Sequence, residues 1–373
     1  MADPYFIHRI ALSPLLHGNS KEVLALNLSK VGVIGEDTFV SFIAQQGLAP
    51  LWHDLLSQHD LQSQLSHRSL QALSRFSAEA AAHYLLQKSA LPEIRAVFDA
   101  KHIEHAVYKG VANRERLYDN AALRPAADID LLVGADNRDR AIASLVSAGY
   151  VLRPNADNAS HEVNLQRGAL TIDLHWDILR PGRTREPLAA ALLKDRVDAG
   201  DHWALSPSAA LFVALVHPVF AKYATAPQST LIRMLDLSRQ LPNDDRTVAS
   251  TLQLLQRGGV NTAAWIMLWW LLSLSEGATS NHTAAAKTLS EKTAPGTLRR
   301  AYLKLWLKND LASALQGNAL LVQFAFTLLA HDQLSDALSA LRGIQNSSKQ
   351  QSIDMQALRC AAETGKTSGA STV

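Results

Sequence analysis

Cysteine is almost missing from this chain of 373 residues: Cys360 stands alone, so no intramolecular disulfide and no cysteine-based zinc site can form. Long apolar runs are missing as well, and the longest, Ala263–Leu272, falls well short of the roughly 20 residues a membrane-spanning helix needs. Neither sign of charge is in excess. The 36 basic and 34 acidic side chains leave a formal net charge of +2, which argues against a protein held on nucleic acid by bulk charge and leaves only a local basic groove open. The opening MADPYFIHRIALSPLLHG lacks the basic stretch and unbroken apolar stretch of a secretory signal, so a cytoplasmic location is expected. Also missing are the P-loop, G-x-G-x-x-G, H-E-x-x-H and G-x-S-x-G patterns, which removes support for the usual kinase, dehydrogenase, zinc-protease and hydrolase readings. What is there is an ordinary globular composition, 47% hydrophobic and 19% charged, with length enough for two or three domains.

The pattern divides the chain into four stretches. Residues 1–90 read as a helical region, with apolar positions three and four apart in Thr38–His59 and again in His83–His102. Across 91–185 the period changes. Glu104–Lys109 reads as a strand ending at Gly110, Val111–Asp119 as a polar helix, and Ala127–Val133 as a strand with one covered face. Arg138–Ala148 is helical and stops at Gly149, and Glu162–Gln166 with Ala169–Trp176 form a hairpin about Arg167-Gly168. Residues 186–346 are helical again: Ala209–Tyr223, Ser229–Leu241, Thr247–Arg257, Thr262–Leu274, Thr297–Asn309 and Leu320–Leu341. Residues 347–373 are rich in Ser, Gln and Thr and read as a flexible tail. The expected fold is α+β, a small mixed-sheet core flanked by an N-terminal helical region and a C-terminal helical domain.

The chemistry concentrates in the α/β core. In ADIDLLV, Asp128 and Asp130 are two apart, so a strand projects both carboxylates from one face while Ile129 and Leu131 turn to the core. Like charges so close call for a cation, and an all-oxygen donor set suits Mg²⁺ or Mn²⁺. In LTIDLHW, Asp173 shares a face with Thr171 and His175, and adjacent strands would bring Asp128, Asp130 and Asp173 together. Three such carboxylates suit two-metal phosphoryl or nucleotidyl transfer. Lys109-Gly110, where a strand opens into a helix, offers a cation and backbone N–H groups to an anion, and Arg114, Arg116 and Arg124 follow.

These residues resemble a known group. The run VYKGVANRERLY, RPAADIDLLV, AIASLVSAGY and LTIDLHWDI is similar to the uncharacterised nucleotidyltransferases of the DNA polymerase β-like superfamily, closely over residues 93–179. The similarity extends more loosely to Gln45–Leu56 and Leu215–Leu241. The resemblance implies a mixed sheet flanked by helices, with Asp128, Asp130 and Asp173 as catalytic metal ligands and Lys109 and Gly110 in the nucleotide-phosphate loop. The implied activity is transfer of a nucleoside monophosphate from an NTP, with Mg²⁺ or Mn²⁺, to a hydroxyl or phosphate of a small molecule, peptide or protein. Arg124 and His175 are further candidates, for leaving-group charge and for phosphate contact or proton transfer. Two departures stand out: Val111 follows Gly110 where the superfamily usually carries Ser or Gly, and Asp128 lies 18 positions after Gly110, further than is common. They keep open a catalytically silent scaffold of the same fold; a further reading, an enzyme that extends tRNA ends, is opposed by the near-neutral charge.

Other residues have plainer readings. His161 is expected in an exposed loop, Trp176 in the core, and His217 in a core or domain interface. Asp236 is expected to pair with a neighbouring helix or with His217. Arg180, Arg183 and Arg185 follow the third-acid strand, where they would either meet phosphates or form a solvated connector. The helix of Trp265, Trp269 and Trp270 is apolar all round, as in a buried core.

Overall fold

The computed structural model describes residues 3–17, 20–153, 161–221, 231–275, 281–315, 317–342, 356–358 and 360–363. The N-terminal helices are α1 (Phe6–Leu16), α2 (Lys21–Ile34), α3 (Glu36–Gln45), α4 (Ala49–Gln58) and α5 (His67–Asp99). The apolar rhythm of Thr38–His59 is split at Gly47, whose positive φ ends α3 and re-aims the chain into α4. No break falls at residue 90. Helix α5 runs unbroken for 33 residues from its Ser66 cap, through Pro92, and joins the helical region to the sheet.

Among the described residues seven strands follow or interleave: β1 (His105–Tyr108), β2 (Ile129–Val133), β3 (Val151–Arg153), β4 (Glu162–Arg167), β5 (Leu170–His175), β6 (Val197–Asp198) and β7 (Trp203–Ala204). Helices α6 (Lys109–Leu117), α7 (Arg138–Ser147) and α8 (Ala189–Leu193) lie between them. The sheet order is β3-β4-β5-β2-β1-β7-β6, with β2 parallel to β5, β1 parallel to β7 and the remaining pairs antiparallel. The mixed α+β core is thus as the sequence predicts, but β6 and β7 carry the sheet beyond residue 185. Two-residue strands leave too little alternation to be read. The β4–β5 hairpin turns on Gly168 and Ala169, since Arg167 pairs with Leu170; Gly168 supplies the positive φ that the turn needs.

The C-terminal part comprises α9 (Pro207–Ala221), α10 (Leu231–Gln240), α11 (Asp245–Gly258), α12 (Asn261–Leu274), α13 (Asn281–Thr293), α14 (Thr297–Lys308), α15 (Leu311–Ala314) and α16 (Ala319–Ala325). The helix expected over Leu320–Leu341 breaks at Phe326 into a 3-10 turn, Thr327–Ala330. Trp265 and Trp270 of α12 are buried, as an all-apolar helix requires. Most of the stretch read as a flexible tail lies outside the described residues, yet Leu358, Ala361 and Ala362 within it are buried against the sheet's core.

Alternation along the strands makes two cores. Val107, Ile129, Leu131, Val133, Leu165, Ile172 and Leu174 point to one face and pack with Leu91, Ile94 and Phe98 of α5 and Ile142 and Leu145 of α7. Each such aliphatic side chain contributes roughly 1.5–3 kcal/mol by leaving water. The opposite face, with Ala106, Tyr108 and Leu132, joins the large core built by α1–α4, α9–α10 and α12. Where that face turns polar, a cleft remains between sheet and helices.

Candidate active site

The cleft encloses about 350 Å³. Its floor is Lys109, Gly110, Asp128 and Asp130. Gln45–Gly47 after α3, His217 of α9, and Ile232, Arg233 and Asp236 of α10 make the walls, so all three parts of the chain contribute.

Parallel pairing of β2 with β5 sets Asp130 beside Asp173, and β1 sets Tyr108 beside Asp130. Asp128 lies just before β2, half-buried, and still opens into the same cleft as Asp130. Asp173 and His175 are not part of the cleft wall. His175 is 1% exposed and sits behind Asp130, with its Nε2 3.1 Å from Asp130 Oδ1. Its direct contact is therefore a carboxylate. Asp173 accepts a hydrogen bond from Asn164, its cross-strand neighbour.

The charges are unequal. Asp130 accepts a hydrogen bond from Lys109 Nζ at 2.8 Å. Burial would raise its pKa, but Lys109 and His175 outweigh that and hold it well below the usual carboxylate range. Asp128 makes no hydrogen bond or ion pair among the described residues: burial, then Asp130 and Asp173, push it up to about 7 against the pull of Lys109 and His175. Asp173 is raised by burial and by Asp130. Among the described residues both bonds to Asp130 fall on Oδ1 and none on Oδ2. This all-carboxylate donor set fits a hard divalent cation. Asp130, Asp173 and His175 also place ligand atoms within 4.8 Å of one another.

At the strand-to-helix junction Lys109 takes a positive φ of 56°, a conformation costing a non-glycine residue roughly 1–3 kcal/mol. Lys109 opens α6, a helix start whose first amides have no intrahelical acceptor, and Lys109 and Gly110 line the cleft. Gly110 is dictated by space: a Cβ there would come within 2.6 Å of Arg124 Nη1. Val111 is fully buried in the core on the other side, which accounts for an apolar residue where a hydroxyl is more usual.

Arg124 lines the cleft, but its guanidinium is committed. Nη2 donates to Asp236 Oδ2 at 2.6 Å, Nε to Oδ1 at 3.4 Å, and Nη1 to the Pro125 carbonyl at 2.7 Å. Tyr118 and Asn113 also donate to Asp236, at 2.7 and 3.0 Å. Asp236 thus pairs across to the α/β core, tying α10 to it, and not with His217. The cation that the sequence reading passed over is Arg233 on α10. It faces the cleft half-buried, without an ion pair or hydrogen bond among the described residues, and burial lowers its pKa although Asp130 and Asp128 pull the other way. Its place in an amphipathic helix more than a hundred residues from Asp128 left no local signal.

Two loop expectations are corrected. His161 is buried, 7% exposed, beside Glu162. Arg183 is buried and donates to the Phe220 carbonyl, so it is not a solvated connector, whereas Arg185 is exposed and pairs with Asp336 at 3.0 Å.

Carboxylates converging from two neighbouring strands, beside a lysine at a helix start, make a donor set for divalent cations and phosphates. The chain belongs to the uncharacterised nucleotidyltransferase family, whose model matches residues 33–274. No curated protein and no solved structure matches it. Among the described residues no helix is long and apolar enough to cross a membrane.

Proposed function

We propose that this protein transfers a nucleoside monophosphate from an NTP to a hydroxyl or phosphate of an acceptor, with Asp128, Asp130 and Asp173 holding Mg²⁺ or Mn²⁺. The observation that carries the reading is the meeting of Asp128, Asp130, Lys109 and the first turn of α6 in one cleft, with Asp128 pushed up by burial and by its carboxylate neighbours. A divalent ion bound there supplies neutralisation of phosphate charge and a lower pKa for the acceptor hydroxyl. Lys109 holds Asp130 ionised and oriented, with His175 fixing the carboxylate from behind. The amides opening α6 and the uncommitted guanidinium of Arg233 take the triphosphate, whereas Arg124 shapes the wall through Asp236. The acceptor oxygen bonds to the α-phosphorus as the bond to the pyrophosphate oxygen breaks, and the acceptor's proton passes to the carboxylate cluster. Small side chains at Ala210, Val213 and Ala214, with Ile232, leave apolar room for the acceptor or the base.

The test is transfer of label and release of pyrophosphate from each α-labelled NTP with Mg²⁺ or Mn²⁺, beside Asp128→Asn. Asp128 is the cleaner position because Asp130 also anchors Lys109 and His175. Label that disappears in the variant supports the reading. Silence with every nucleotide, together with no metal-dependent NTP binding, overturns it in favour of a scaffold that keeps the fold.

A further inference from the structure

Antiparallel pairing of β4 with β5 sets Glu162 directly opposite His175. The end of the hairpin is held by the Trp176 amide, which donates to the His161 carbonyl at 2.9 Å. Three side chains converge there. His175 Nδ1 lies 3.0 Å and His161 Nε2 3.4 Å from the same Glu162 Oε2, and the three ligand atoms lie within 4.8 Å of one another. Yet His175 Nδ1, fully buried, makes no hydrogen bond: Glu162 is near enough, but not along the direction an N–H would take. Donor atoms that share a metal ion behave in this way, sitting roughly 3–3.5 Å apart because each points at the ion between them.

The other ring nitrogen of His175 strengthens the case. Nε2 contacts Asp130 Oδ1 at 3.1 Å, and an ionised carboxylate only accepts, so Nε2 carries the hydrogen. Nδ1 is then the free ligand nitrogen, in the carboxylate–histidine–metal arrangement that orients ligating histidines. His161 and His175 are 7% and 1% exposed, so bulk water does not compete strongly. Two imidazoles and one carboxylate suit a zinc-type ion and not magnesium, which prefers oxygen donors throughout.

We propose that His161, Glu162 and His175 bind one transition-metal ion of the zinc type, at a site behind Asp130 and separate from the carboxylate cleft. The ion fixes the His175 ring and, through its Nε2–H, the carboxylate of Asp130. In that role His161 and Glu162 are positioning residues. The site requires nothing of the nucleotidyl-transfer reading, since it rests on a different donor set.

The experiment is a zinc titration of the full chain after stripping with a chelator, run in excess Mg²⁺ so that the carboxylate cluster is saturated. Wild type is expected to bind one equivalent of Zn²⁺, and one equivalent of Co²⁺ with the visible absorption of a four-coordinate site. Glu162→Gln and His161→Gln should each weaken zinc binding by at least about 10-fold, while Asp128→Asn leaves it unchanged. Thermal melts of the stripped variants separate lost ligation from lost folding. Absence of saturable zinc in stripped wild type overturns the site, as does a zinc affinity equal to that of wild type in both variants; in either case Glu162 is only the ionic neighbour of His175. Loss of zinc on Asp128→Asn also overturns it, by placing the ion in the cleft. None of these outcomes depends on whether transfer activity is found.

Discussion

On β2, Ile129, Leu131 and Val133 press against α5 and α7, while Asp130, between the first two, looks the other way at Lys109 and His175. The same contrast runs along β5, where Ile172 and Leu174 are fully buried among aliphatic side chains and Asp173 with His175 meets Asn164, Glu162 and Asp130. One face holds the sheet together by burial that is tolerant of chemistry and intolerant of volume. The other spends alternate positions on charges whose pKa values are driven apart. A substitution should therefore read out differently according to the face it strikes.

The largest effect is expected from Asp128→Asn, which should lower transfer by roughly 10³-fold or more while the melting temperature holds, because the residue lines the cleft and anchors no described residue by a hydrogen bond or ion pair. A steady-state assay beside a thermal melt checks both halves. Asp236→Asn should do the reverse. It strips Arg124 of its buried counter-charge and loosens α10, at a cost of about 3–5 kcal/mol by denaturant unfolding. On the apolar face, Ile172→Ala should cost about 2–5 kcal/mol with the rate per folded molecule unchanged. A large fall in that rate would break the division between the faces. Arg233→Gln should raise the KM for the NTP about 10-fold with little change in stability, since no described residue is paired with it; one charged hydrogen bond is of that size.

The smallest expected effect is a pH slope. Asp128 titrates near 7 in the fold and near 4 when unfolded, so ion-free protein binds more protons folded than unfolded across that window. Its stability should fall as pH rises from about 4 to about 7. Asp173 and Asp177, both raised by burial, act in the same direction. Asp128→Asn should flatten the profile, and Mg²⁺ should restore stability in wild type above pH 7. An identical slope in the variant would remove Asp128 as its source.

Short-range information made the strands and carboxylates legible. The alternation in ADIDLLV and LTIDLHW, the glycine at the hairpin and the lysine-glycine step all act within a few residues, where backbone geometry alone sets which side chains share a face. The same locality explains the errors. A helix of 33 residues bridging two parts of the chain looks in sequence like two segments, and two-residue strands look like loop.

The sequence by itself therefore determined the α+β composition of the core, the residues that carry charge into it, and which of them leave a strand on one side. Only the tertiary structure decided the pairings: that Asp130 lies beside Asp173, that Arg124 is taken by Asp236 while Arg233 is not, and that His161, Glu162 and His175 share one point. Those depend on strand register and on how α10 closes over the sheet. Both are set by the burial of many distant apolar side chains at once, and no local pattern encodes them.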